Sequence, residues 1–156
     1  MKKFLNTVIK ASFVFYLFAL CIILFLGQRG HFRNLSIWEY ALMQMNIIPF
    51  KTITEYISAI FTGSMNLDIP IKNLLGNLIL FLPMGIYLPL FLKKSRKFLS
   101  YFLIMIGILV AVELIQFFTR QGAFDIDDLI LNLAGAFIGF ALWRTKVIQS
   151  FKNKIA

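Results

Sequence analysis

The 156-residue chain is poor in the residues that soluble chemistry relies on: one cysteine, one histidine and seven acids in all. A single cysteine cannot form an internal disulfide, and Cys21 lies within an apolar run, where a thiol packs as a small hydrophobe. His31 stands in a polar stretch without a second ligand at metal spacing, so it reads as a solvated loop residue. No long polar segment is present, which excludes a soluble domain and therefore a basic nucleic-acid-binding domain, despite the net charge of +9. Internal repeats and low-complexity tracts are also missing. The first apolar run has no small-x-small cleavage site after it, and Leu20 is not the small residue that lipoprotein processing needs before Cys21. The run is therefore read as a retained membrane helix.

What is present is apolar sequence. Apolar residues make up 60% of the chain, and the mean hydropathy is +0.81. Runs of roughly 18 or more such residues read as membrane helices. Residues 8–26, 74–92 and 98–118 qualify, and 129–143 forms a shorter fourth run. At about 15 residues the fourth would span ~22 Å, less than the hydrocarbon core, so it should begin in the headgroup region or thin the bilayer. The expected fold is an all-α membrane protein: one domain over 1–156, built as a four-transmembrane-helix bundle.

Charge segregation sets the expected topology. Lys2, Lys3, Lys10, Lys93, Lys94, Arg96, Lys97, Arg144, Lys146, Lys152 and Lys154 fall in three short segments that contain no acid. Short basic segments stay cytoplasmic, so both termini are expected inside and residues 27–71 outside. That outer loop opens with Gln28, Arg29, His31 and Arg33. Further on, Ile53, Tyr56, Ile57, Ile60 and Phe61 recur at helical spacing opposite Thr54, Glu55, Ser58 and Thr62. This pattern predicts an amphipathic interfacial helix, either a lid on the bundle or a surface that meets a ligand. Trp38 and Tyr40 suit the interfacial aromatic belt.

Several polar residues lie where polarity is costly. Asn73 and Asn77 share one helix face, as do Glu113 and Gln116. Glu113 lies within an apolar run and must face the bundle, be paired or be protonated. Arg120 follows Gln116 by about one turn. Asp125, Asp127 and Asp128 open the last run, with Asp127 or Asp128 expected as its N-cap, and Asn132 lies one turn beyond Asp128. The topology predicts that Asn73, Asn77, Glu113, Gln116, Arg120, Asp125, Asp128 and Asn132 line a shared polar pocket. Interhelical hydrogen bonding explains one or two such residues better than it explains the whole set. Gly135 with Gly139, and Gly107 with Ala111, predict close helix packing.

Three blocks carry a resemblance: NIIPF (Asn46–Phe50), NLLGNLILFLPMGIYLPL (Asn73–Leu90) and VELIQFFTRQGAFDIDDLILNLAGAFIGF (Val112–Phe140). The last holds a Glu-x-x-Gln, Arg, Asp-x-x-Asp-x-x-x-Asn pattern. Together they resemble the VanZ-like membrane protein family. The resemblance implies a small multi-pass protein of the bacterial cytoplasmic membrane that lowers susceptibility to teicoplanin-type, lipid-bearing glycopeptides. It brings no catalysed reaction. The expected partner is a membrane lipid or lipid-linked envelope precursor, or the lipoglycopeptide itself.

Two further readings compete. One is an enzyme acting on a phosphorylated lipid, with Mg²⁺ held by Asp125, Asp127 and Asp128, phosphate gripped by Arg120 and Glu113 as base. No nucleophile motif accompanies that set, so binding is preferred, with no cofactor and no metal. The other is a lipid or solute transporter, which four short helices could form only as a homodimer, with Gly135 and Gly139 at the contact.

Overall fold

The computed structural model describes residues 2–26 and 35–155, with side chains described to residue 150. Gln28, Arg29, His31 and Arg33 lie outside the described residues. The chain is almost wholly helical: α1 (Lys2–Leu26), α2 (Ile37–Gln44), α3 (Lys51–Thr62), α4 (Asp68–Leu80), α5 (Leu82–Phe91), α6 (Phe98–Thr119), α7 (Ile126–Trp143) and α8 (Lys146–Ile155). Four spans are long and apolar enough to cross a membrane: α1, the α4–α5 pair, α6 and α7. Sequence pattern does not announce one non-helical feature of the described residues. Two short strands, β1 (Met45–Asn46) and β2 (Phe124–Asp125), pair in parallel. This pairing joins the loop before α3 to the loop before α7.

The second span is two helices where one was expected over 74–92. Pro83 lacks an N–H, and its ring crowds the carbonyl four residues back, so the helix breaks at Phe81. The Tyr16 hydroxyl of α1 donates to the Leu80 carbonyl at this break, at 2.9 Å. Below the break, Arg96 Nε donates to the Pro89 carbonyl at 3.1 Å and satisfies an orphan acceptor at the end of α5.

α7 lies against α4 and α5 almost backbone to backbone. A Cβ at Gly135 would overlap the Leu78 carbonyl, one at Gly139 the Leu82 carbonyl, and one at Gly85 the Ala136 carbonyl. The Gly135–Gly139 pair therefore packs within the chain, and that face is not free for a second copy. Gly107 behaves otherwise: a Cβ added there would meet nothing among the described residues of other elements, so the Gly107–Ala111 pair makes no close helix contact with them.

α6 runs antiparallel to α7. Tyr101 Oη donates to the Ala136 carbonyl at 2.8 Å, and its ring stacks on Phe140 at 4.3 Å between centroids. Phe81, Met105, Leu109 and Trp143 complete a buried core around this pair. α7 begins three residues before the expected 129, because Asp125 is its N-cap rather than Asp127 or Asp128. Asp125 has extended backbone, and its Oδ1 accepts from the Asp127 N–H at 2.8 Å. The 18-residue α7 is about 27 Å long at helical rise.

In the 35–67 region, Ser36 and Glu39 form a reciprocal capping box that starts α2. Donation from the Ser36 hydroxyl, and then from the Ser36 N–H, holds the exposed Glu39 carboxyl below the usual carboxylate range. α3 packs on α4 and α7. Its expected apolar face is divided: Ile53, Tyr56 and Ile60 are part-buried, whereas Ile57 and Phe61 are exposed, because only one strip meets protein.

Candidate functional site

The site lies where α6 turns into α7 and where the α3 segment crosses that turn. Its foundation is a pair of aspartates that anchor the crossing segment. Asp127 is wholly buried. Its Oδ1 accepts from the Phe50 N–H at 2.6 Å, and its Oδ2 from the Ile53 N–H at 3.1 Å. A carboxylate thus satisfies the free donors at the start of α3, as an N-cap side chain would. Phe50 has no such side chain and sits in the left-handed region, at φ 66°. A left-handed backbone costs a non-glycine residue energy, and Asp127 helps to hold it there.

Asp125 anchors the same segment from the side. Its Oδ1 accepts from Asn46 Nδ2 at 3.0 Å, and its Oδ2 from Thr52 Oγ1 at 2.7 Å. Asn46 also donates to Thr52 Oγ1, at 2.8 Å, and accepts the Ile48 N–H at 3.2 Å. Asn46 and Thr52 were not among the expected site residues. The signal was present in the NIIPF block, whose leading Asn has a short side chain able to bond both ways along a turn.

Beneath this anchor lies a second polar group with different circumstances. Asp128 accepts from Asn77 Nδ2 of α4. Glu113 of α6 is 4% exposed. Its carboxyl accepts from the Asp125 backbone N–H and lies within electrostatic reach of Asp128 and Asp125. Among the described residues Glu113 Oε2 has no hydrogen-bond partner, and neither does the Oδ1 of buried Asn132, one turn from Asp128 on α7. Tyr56 reaches the group from α3. Burial, and then the charges of Asp128, Asp125 and Glu55, raise its phenol above the ordinary tyrosine range.

Of the eight residues expected to share a pocket, the structure brings together Asn77, Glu113, Asp128 and Asn132. Asp125 borders them, but its carboxylate is held by Asn46, Thr52 and the Asp127 N–H. The other three point elsewhere. Asn73 donates to the Ile69 carbonyl of its own helix at 2.8 Å. Gln116 donates to the Leu24 carbonyl at the end of α1, at 2.9 Å, and so ties α6 to α1. Arg120 is the left-handed C-cap of α6, with its guanidinium 5.8 Å from the Tyr40 ring centroid. The three aspartates do not converge as a metal set would. Asp127 faces the α3 segment, Asp125 faces Asn46 and Thr52, and Asp128 faces Asn77. No group of three metal-ligating side chains occurs among the described residues.

Comparison with known proteins agrees with the site's sequence blocks. Residues 13–149 match the VanZ/LLP1 family. The chain belongs to that family. Among curated proteins it is similar to "Protein VanZ" of Enterococcus faecium, at 30% identity over 112 residues. That match covers 72% of this chain and 60% of the relative, so the chain spans about three fifths of the length of the VanZ protein it matches. No solved structure matches. The VanZ-like blocks coincide with the geometry: NIIPF is the anchored segment, and Val112–Phe140 supplies Glu113, Asp128 and Asn132.

Proposed function

We propose that this VanZ-like protein lowers susceptibility to teicoplanin-type lipoglycopeptides by binding an envelope ligand in the Asn77–Glu113–Asp128–Asn132 cluster. The ligand class is a membrane lipid or lipid-linked envelope precursor. The protein resides in the bacterial plasma membrane with both termini cytoplasmic, which places the cluster toward the outer leaflet. One observation carries this reading: Glu113 and Asn132 each bury an acceptor that nothing among the described residues satisfies. A buried, unpaired polar atom costs about 1–3 kcal/mol, and side chains serving only to join helices would be paired with each other. The family relationship supports the phenotype, and the basic segments support the orientation.

The test is teicoplanin susceptibility of a sensitive Gram-positive host expressing the chain, beside Glu113→Gln and Asp128→Asn variants at matched membrane abundance. Protection by the parent that both variants lose is expected. Equal protection by all three detaches the phenotype from the cluster. No protection by the parent removes the lipoglycopeptide role.

A further inference from the structure

The chemistry of the cluster narrows what it can hold. Its unfilled atoms are of one kind. Asn132 Oδ1 accepts hydrogen bonds and cannot donate, and Glu113 Oε2 accepts when the carboxyl is ionised. Asp128 adds a further carboxyl, facing one amide. Among the described residues, no cation is paired with the cluster. Glu113 and Asp128 have no ion pair among the described residues; Lys72 pairs instead with exposed Asp68 of its own helix at 2.7 Å. Lys51, at the start of α3, is exposed. A proton shared between the two carboxyls would answer one acceptor and leave Asn132 unanswered.

We infer that the Glu113–Asp128–Asn132 cluster accepts a primary ammonium group, such as the headgroup amine of an aminophospholipid or a free alkylamine. This inference rests on the reading of the cluster as a ligand site. The match is one of number and sign. A primary ammonium carries three N–H donors and one positive charge. Three side chains offer acceptors: Asp128 and Asn132 from one face of α7, and Glu113 from α6 against Asp128. Two of them are carboxyls, so the bonds are charge-assisted. A quaternary ammonium carries the same charge without donors and cannot satisfy Asn132. Asp128 is only part-buried, and Tyr56 of α3 lies within electrostatic reach of it.

The decisive experiment uses the full chain, purified into nanodiscs holding equal amounts of phosphatidylethanolamine, phosphatidylcholine and phosphatidylglycerol. Native mass spectrometry then reads the lipids that the released protein retains. The expected result is a preference for phosphatidylethanolamine over phosphatidylcholine of about tenfold or more, the scale of one hydrogen bond to a charged group. Glu113→Gln with Asp128→Asn, and separately Asn132→Leu, should remove that preference. Equal retention of the two lipids by the parent overturns the inference without need of a folded variant. If retention of another lipid still depends on Asp128, the ligand-site reading survives and only the amine is wrong. If the parent retains no lipid better than the double variant does, both readings fall. Soluble ethanolamine separates the two sources. Displacement of lipid by it assigns the bare ammonium as sufficient, and failure to displace a retained aminophospholipid assigns the whole headgroup. Protection against heat by sodium ions, with no effect of ethanolamine or headgroup, replaces the amine with an inorganic cation and overturns the inference.

Discussion

Asp127 and Asp128 follow one another at the start of α7, yet Asp127 receives two backbone N–H groups from the α3 segment while Asp128 receives one amide from Asn77. Successive residues in a helix point about 100° apart, so one step along the chain turns the carboxylate from the crossing segment to the bundle interior. The same contrast divides the whole region. Asn46, Thr52, Asp125 and Asp127 form a bonded network that fixes a strained turn. Glu113, Asp128 and Asn132 form a group whose acceptors outnumber the donors the described residues supply. The first arrangement is how a protein makes structure from polar side chains, and the second leaves buried acceptors unsatisfied among the described residues.

Removing the anchor should have the largest effect. Asp127→Ala orphans the Phe50 and Ile53 N–H groups and lets α3 detach, at a cost on the order of 3 kcal/mol. The melting temperature in detergent should fall, and protease cleavage within residues 45–62 should rise. A variant as stable and as protected as the parent would show that the crossing segment does not depend on this carboxylate. Thr52→Val deletes one donor to Asp125 and leaves the Asn46 and Asp127 donors in place. It should cost about 1 kcal/mol in the same assay.

On the other side of the comparison the sign should reverse. Asn132→Leu replaces a buried unsatisfied acceptor with an apolar side chain of similar size. It should leave stability unchanged or raise it by about 1 kcal/mol, while abolishing any protection against teicoplanin. A marked loss of stability would make Asn132 a structural link between helices.

The smallest effect is a titration. Burial, followed by the charges of Asp128, Asp125 and Glu55, raises the Tyr56 phenol. A raised folded value means that the folded state keeps its proton longer than the unfolded state does. Its contribution to stability is therefore complete below the ordinary tyrosine value and is lost as pH climbs through the folded one. Ultraviolet absorbance of the parent minus Tyr56→Phe should show this late tyrosinate. Asp128→Asn should bring it earlier by removing a neighbouring charge, and an unmoved titration would separate Tyr56 from the cluster.

Much of this architecture is local information. Four apolar runs, the break at Pro83 and the small-residue pair at Gly135 and Gly139 follow from side-chain transfer energy, a missing N–H and the absence of a Cβ. The polar residues were also found by their depth, because polarity within an apolar run is conspicuous whatever surrounds it. Their partners were not legible. Gln116 bonds a carbonyl 92 residues away, Asn73 turns back on its own helix, and Arg120 lies over Tyr40. Periodicity cannot tell which helix each will face.

The sequence by itself determined that this is a multi-pass VanZ-like protein with costly polar groups near the ends of its helices, because hydropathy, chain length and motif are properties of consecutive residues. Only the tertiary structure decided which of those groups are satisfied. Satisfaction depends on donors brought from distant segments, as Phe50 and Ile53 are brought to Asp127 across more than 70 residues, while no donor in the described chain reaches Glu113 Oε2 or Asn132 Oδ1.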